Sequence, residues 1–167
     1  MLFAGLLAAL VVFRVGADRW PPPGLPRLPV AVTAVNSLVL FSSTLPMSRA
    51  LAALRRDDAR TVVRALAATM ALGAAFLVIQ GSEWVRLVGA GLRASSGPYG
   101  ATFFTLIGCH AVHVFSAVVW LVVLYVGSRR RRFTAARRLP VELGAIYWYY
   151  VSAVWAVIFP AVYLGLR

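Results

Sequence analysis

Residues Tyr99 to Val126, YGATFFTLIGCHAVHVFSAVVWLVVLYV, run for 28 positions without an arginine, lysine, aspartate or glutamate. As one helix the stretch is long enough to cross a bilayer core of about 30 Å with some tilt. It also holds the chain's only two histidines, His110 and His113. Three residues apart on a helix, they occupy neighbouring faces, about 16–20 Å along from Tyr99 and so near the middle of the hydrocarbon. An imidazole at that depth is costly unless it faces protein. The helix therefore needs partner helices, and the rest of the chain supplies them.

Four further apolar runs flank it, giving expected spans at about 2–17, 30–54, 62–87, 99–126 and 141–166. The expected fold is all-α: a single five-helix transmembrane bundle. The composition agrees, with 61% hydrophobic residues and a mean hydropathy of +0.81. The 17 basic residues, all arginine, give a net charge of +12. On a soluble domain that charge would suggest a nucleic-acid partner; here the arginines sit in short loops between apolar runs, which is the pattern of membrane anchoring. No stretch between apolar runs exceeds about twenty residues, so no soluble domain is expected. The single cysteine, Cys109, lies inside the central run and reads as a small packing residue.

The first run, LFAGLLAALVVFRVGA, is short. A cleaved signal peptide would want a basic segment before its apolar part, but the first basic residue, Arg14, stands near the end, so a first membrane helix is the preferred reading. Arg14 would lie near the outer surface and is a candidate for a lipid phosphate. Four prolines between Pro21 and Pro26 forbid helix and impose a semi-rigid connector. The second span carries Thr33, Asn36, Ser37, Ser42, Ser43 and Thr44, small polar groups that bond back to their own backbone or across to a neighbour. Pro46 should kink it, with Ser42 or Ser43 tending the disturbed carbonyls. In the charged turn that follows, Asp57 or Asp58 is a helix-cap candidate.

Counting arginines sets the expected orientation. Arg49, Arg55, Arg56, Arg60 and Arg64 flank one turn, and Arg129 to Arg132, Arg137 and Arg138 another; the opposite ends hold only Arg14, Arg19, Arg27, Arg86, Arg93 and Arg167. The positive-inside rule puts the first group in the cytoplasm, with the N-terminus cytoplasmic and the C-terminus outside. No internal repeat is visible, which argues against a secondary transporter.

Gln80, Glu83, His110 and His113 are the candidate polar cluster. Gln80 falls about 12 Å below Val88, and His110 about 18 Å below Pro98, so antiparallel spans three and four bring them to similar depths. A proton relay is the sharper reading, interhelical cross-linking the plainer and preferred one. Bundle metal or haem sites need ligands from facing helices, and Glu83 and Glu142 alone are too few; no metal is expected. Tyr147, Trp148, Tyr149, Tyr150 and Trp155 make the last span aromatic. Packing is the simple explanation, and Trp148 and Trp155 with Arg14 are also the candidate lipid-binding residues.

Three ordered stretches resemble successive signatures of subunit III of the haem–copper oxidases: LGAAFLVIQGSEW (72–84), YGATFFTLIGCHAVHV (99–114) and ELGAIYWYYVSAVW (142–155). VNSLVLFSSTLPMSRA (35–50) is similar to that family's Asn-Thr-x-x-Leu-x-x-Ser-Ser span, and the Trp-Pro-Pro-Pro-Gly connector is similar to that of its short bacterial members. The resemblance implies a non-catalytic subunit of a cytochrome c oxidase of the short five-helix form, in a bacterial cytoplasmic membrane. It implies packing on catalytic subunit I, bound phospholipid between the first two spans and the other three, and haem and copper in partner subunits. The family's Tyr-Trp-His-Phe-Val-Asp pattern reads Tyr147-Trp148-Tyr149-Tyr150-Val151-Ser152 here, without that His and Asp. Relatives place a Ser-Glu just ahead of the first helix, where this chain has Met1. These departures favour a scaffold and lipid-holding role over proton uptake. The alternatives are an accessory subunit of a nitric oxide reductase or quinol oxidase, and a free-standing membrane transporter or lipid-handling protein.

Overall fold

A computed structural model describes residues 2–17, 19–20 and 22–164. The elements are α1 (Leu2–Val15), α2 (Val30–Ser42), α3 (Thr44–Leu54), α4 (Ala59–Gly89), α5 (Gly97–Arg129) and α6 (Leu139–Phe159); a π-helical turn, Pro160–Leu164, continues α6. Among the described residues there is no strand. Four helical runs are long and apolar enough to cross a membrane: Val30–Leu54, Ala59–Gly89, Gly97–Arg129 and Leu139–Leu164. The expected end of the last span at Leu166, the outer arginine Arg167, and Asp18 and Pro21 of the connector lie outside the described residues.

The helix ends follow from local chemistry. Asp58 caps α4, its carboxylate accepting from the Thr61 backbone N–H (3.1 Å) and hydroxyl (2.6 Å). α3, α4 and α5 all stop the same way, with a left-handed residue and an amide reaching back to the carbonyl five residues earlier: Asp58 to Ala53, Leu92 to Leu87 and Arg132 to Gly127. Glycine fills the left-handed position at Gly91, while Asp57 (φ 55°) and Arg131 (φ 51°) fill it at the other end of the bundle. Gly100 is required for a different reason. A Cβ there would collide with the Arg93 carbonyl oxygen, so only glycine lets the turn between α4 and α5 close onto the second helix.

The expected kink appears as a break at Ser43 between α2 and α3. Pro46 has no N–H for the Ser42 carbonyl and its ring crowds that turn. The hydroxyls of Ser42, Ser43 and Thr44 donate to the carbonyls of Val39, Leu40 and Phe41. These three bonds lie in the turn just before the Ser42 carbonyl that Pro46 leaves free.

α3, α4, α5 and α6 form the body of the bundle, with α2 laid against α4 and α6. The turns after α3 and α5 meet at one end, where Asp57 Oδ1 accepts from the Ala135 N–H at 2.7 Å. α1 packs along the N-terminal half of α5. Phe3 lies against His113 (ring centroids 5.1 Å) at mid-helix, and Trp20, just beyond α1, meets Tyr99 edge-on (5.2 Å) near the start of α5. At 14 residues α1 is about 21 Å long, shorter than a bilayer core and matched to that half of its neighbour.

Candidate functional site

The mid-depth interior is an aromatic seam. His110, 1% exposed, stacks on Trp155 of α6 (centroids 4.8 Å, 25°) and meets the edges of Phe76 from α4 (6.2 Å) and Phe3 from α1 (6.3 Å). Rings from three other helices therefore surround one imidazole, and among the described residues neither Nδ1 nor Nε2 has a hydrogen-bond partner. Such contacts are worth about 0.5–1.5 kcal/mol each beyond area burial. His113 behaves differently: its Nδ1–H donates to the Cys109 carbonyl of its own helix (2.6 Å), which fixes the tautomer and presents the ring to Phe3.

The four expected cluster residues do not hydrogen-bond to one another. Gln80 accepts from Asn36 Nδ2 (3.5 Å) and donates to the Tyr163 hydroxyl (3.2 Å), joining α2, α4 and the turn after α6. Asn36 Nδ2 also reaches the Phe76 carbonyl at 3.1 Å. Glu83, buried at its carboxylate, is answered by Arg86 one turn on (2.8 Å). Helix register explains the division. Gln80 and Phe76 are four apart on one face of α4; that face meets α2 through Gln80 and the imidazole through the Phe76 ring, which fills the place a second polar group would have needed.

Trp148 and Trp155 require a correction. Both are fully buried, not lipid-facing. Trp155 Nε1 donates to Ser37 Oγ (2.8 Å) and Trp148 Nε1 to Ser43 Oγ (3.0 Å). Each serine passes its own proton back to its helix, Ser37 to Thr33 O and Ser43 to Leu40 O, leaving lone pairs for the indole. The order Ser37–Trp155, Ser43–Trp148 is that of antiparallel helices, with similar spacing along both. Indole hooks thus close the side of α6 where lipid was expected. Gly73 of α4 makes room for the second hook, since a Cβ there would collide with Trp148 Cη2. Arg14, the third lipid candidate, is half-buried near the end of α1.

Sequence reasoning did not single out Asn36 or Tyr163 as partners of Gln80, or Phe3 and Phe76 as the walls around His110. The i,i+7 spacing of the two tryptophans was the available signal for a seam, placing both on one face of α6. Among the described residues no three His, Cys, Asp or Glu side chains come together as metal ligands.

Residues 2–165 match the family model for cytochrome c oxidase subunit III. The chain is 32% identical to a cytochrome c oxidase subunit 3 of Synechocystis sp. over 98% of its length and 69% of that protein's. It is 30% identical to the same subunit of Thermostichus vulcanus (100% and 82%) and 33% identical to that of Corynebacterium diphtheriae (98% and 80%).

Proposed function

Because the chain belongs to the cytochrome c oxidase subunit III family and is a multi-pass membrane subunit of a haem–copper oxidase, we propose that it is the non-catalytic scaffold of its complex. In this reading its four long helical runs cross a bacterial cytoplasmic membrane and α1 lies along half of α5, with the N-terminal end of α1 toward the cytoplasm and the C-terminal end of the bundle outside. It packs on catalytic subunit I, and haem and copper belong to its partners. Its own residues bind and position helices. The observation that carries this is the enclosure of His110 by Trp155, Phe76 and Phe3, because it commits a buried imidazole to packing.

The arginine distribution supports the orientation, since the two joined turns after α3 and α5 together with their flanking helix ends hold 11 of the 17 arginines. A lipid-holding role is retained along α1, where Val11, Val12, Phe13 and Val15 are exposed beside Arg14. Affinity purification through this chain tests the reading. Recovery of a haem-bearing catalytic subunit in constant ratio with it, in mild detergent, is the expected result; a chain recovered alone at every detergent strength overturns it.

A further inference from the structure

We infer that the outward face of α6, centred on Tyr150, is where a transmembrane helix of the catalytic subunit docks and brings a hydrogen-bond acceptor to the Tyr150 hydroxyl. The docking rests on the assembly reading above and gives it a surface. Leu139, Leu143, Ile146, Tyr150 and Val157 are all exposed on α6, and their spacing sets them in one stripe along the helix. Four of these five are aliphatic, as a lipid-facing surface would be. Tyr150 is the exception, 46% exposed at the centre of the stripe.

Depth decides what can meet that hydroxyl. The helical run Leu139–Leu164 has 26 residues, and Tyr150 stands about 2 Å from its middle at helical rise. The headgroups are then about 15 Å away on either side, beyond the reach of a tyrosine side chain. A tyrosine that anchors a helix at the interface belongs near those levels. Within the chain the Tyr150 ring stacks on Tyr147 (centroids 6.5 Å, 14°), but among the described residues no hydrogen bond reaches its hydroxyl. The neighbouring polar groups are already satisfied: Ser116 donates to the His113 carbonyl (2.8 Å) and shares a 2.7 Å bond with the Tyr147 hydroxyl. Exposed serines elsewhere, Ser42, Ser48 and Ser82, likewise return their hydroxyls to carbonyls three residues earlier. A phenol oxygen stands too far from its own helix for that. Acyl chains carry no acceptor, and a hydroxyl left unbonded in hydrocarbon is costly. A protein helix supplies what lipid cannot.

The surroundings of Tyr150 have the make-up of a protein contact. Trp120 of α5, 40% exposed, lies 6.2 Å from the Tyr147 ring, so three aromatic side chains sit side by side where α5 and α6 meet. Aromatic residues are enriched where different chains pack. Charge then selects the occupant. Arg137 and Arg138 stand immediately before Leu139, the first residue of the stripe, and Arg137 takes part in neither ion pair found among the described residues. A second copy, related by a twofold axis along the membrane normal, would set these arginines against their own counterparts at one level. A different membrane subunit, whose helix carries no basic cluster at that end, meets the same stripe without that repulsion.

The test uses the intact, detergent-purified oxidase carrying a photoreactive residue at this position, Tyr150→p-benzoylphenylalanine. On irradiation a covalent adduct between this chain and the haem-bearing catalytic subunit is expected. Tyr150→Phe keeps the ring and its stack on Tyr147 and removes the hydroxyl alone. It should raise the apparent dissociation constant of this subunit from the complex about threefold, the size of one hydrogen bond between membrane helices. Because that variant is nearly isosteric, it keeps the readout if the bulkier one fails to assemble. An adduct with acyl chains only, or with this polypeptide only (its own chain or a second copy), would overturn the proposal, as would a Tyr150→Phe subunit that binds as tightly as the native one. A native chain that brings down no haem-bearing subunit overturns the docking and the assembly reading together, whereas a recovered complex without the adduct overturns the docking alone.

Discussion

At the residue scale the molecule depends on serines that act twice. A hydroxyl that donates to its own helix still offers lone pairs, so Ser37 and Ser43 satisfy their backbone and receive an indole N–H at once. The sequence shows that these serines bond either along the helix or across it, but it does not choose between the two. The choice depends on which residue of α6 stands opposite, a matter of interhelical register. His110 is the sharper example. Its depth and need for protein partners are legible in the sequence, whereas partners made of rings and not hydrogen-bonding groups are not, because Phe3, Phe76 and Trp155 carry no polar mark. Trp155→Phe should destabilise the subunit by about 1–2 kcal/mol. A double-mutant cycle with Ser37→Ala should return a coupling of about 0.6 kcal/mol, and at most about 1.7, the range for hydrogen bonds between membrane helices. Unfolding in mixed micelles measures it, and strictly additive single effects would remove the hook.

At the element scale, backbone chemistry is the most legible part of the chain. The Pro46 kink, the Asp58 cap and the turn around Gly91 all fall where residue type places them. The length of α1 is less so, because fourteen apolar residues suit either a thin span or a helix paired with half of its neighbour. Two tests belong here. Gly73→Ala should cost about 1–3 kcal/mol by forcing Trp148 out of its rotamer or α4 away from α6, whereas the same change at Gly81, where a Cβ meets nothing, should be nearly neutral. The second is a pH effect at the start of α4. The bonds from Thr61 hold the Asp58 carboxyl below the usual aspartate range. Its folded-state pKa being depressed, the stabilisation is fully present above the unfolded value of about 3.9 and is lost as pH falls through the folded one. Amide exchange at Thr61 should therefore accelerate, relative to mid-helix amides, on acidification below about pH 4, and Asp58→Asn should flatten that dependence.

At the scale of the whole molecule, the buried interior and the charged end have separate duties. The interior is filled with rings and hooks that hold helices, and the arginines gather where the turns after α3 and α5 are tied together by Asp57. If the imidazoles serve packing alone, oxidase depleted of this chain by stronger detergent should keep its haem absorption bands in position and intensity per catalytic subunit. His110→Leu in the intact complex should leave the same bands unchanged while lowering the temperature at which this subunit dissociates. The leucine fills space but cannot stack on Trp155, so the expected loss is about 0.5–1.5 kcal/mol. A shifted or diminished haem band in either preparation would mean that this polypeptide reaches the redox centres directly, and the scaffold reading would have to be abandoned. Unaltered spectra with an unaltered dissociation temperature would confine the failure to the ring stack, because the imidazole would then be shown to hold nothing together.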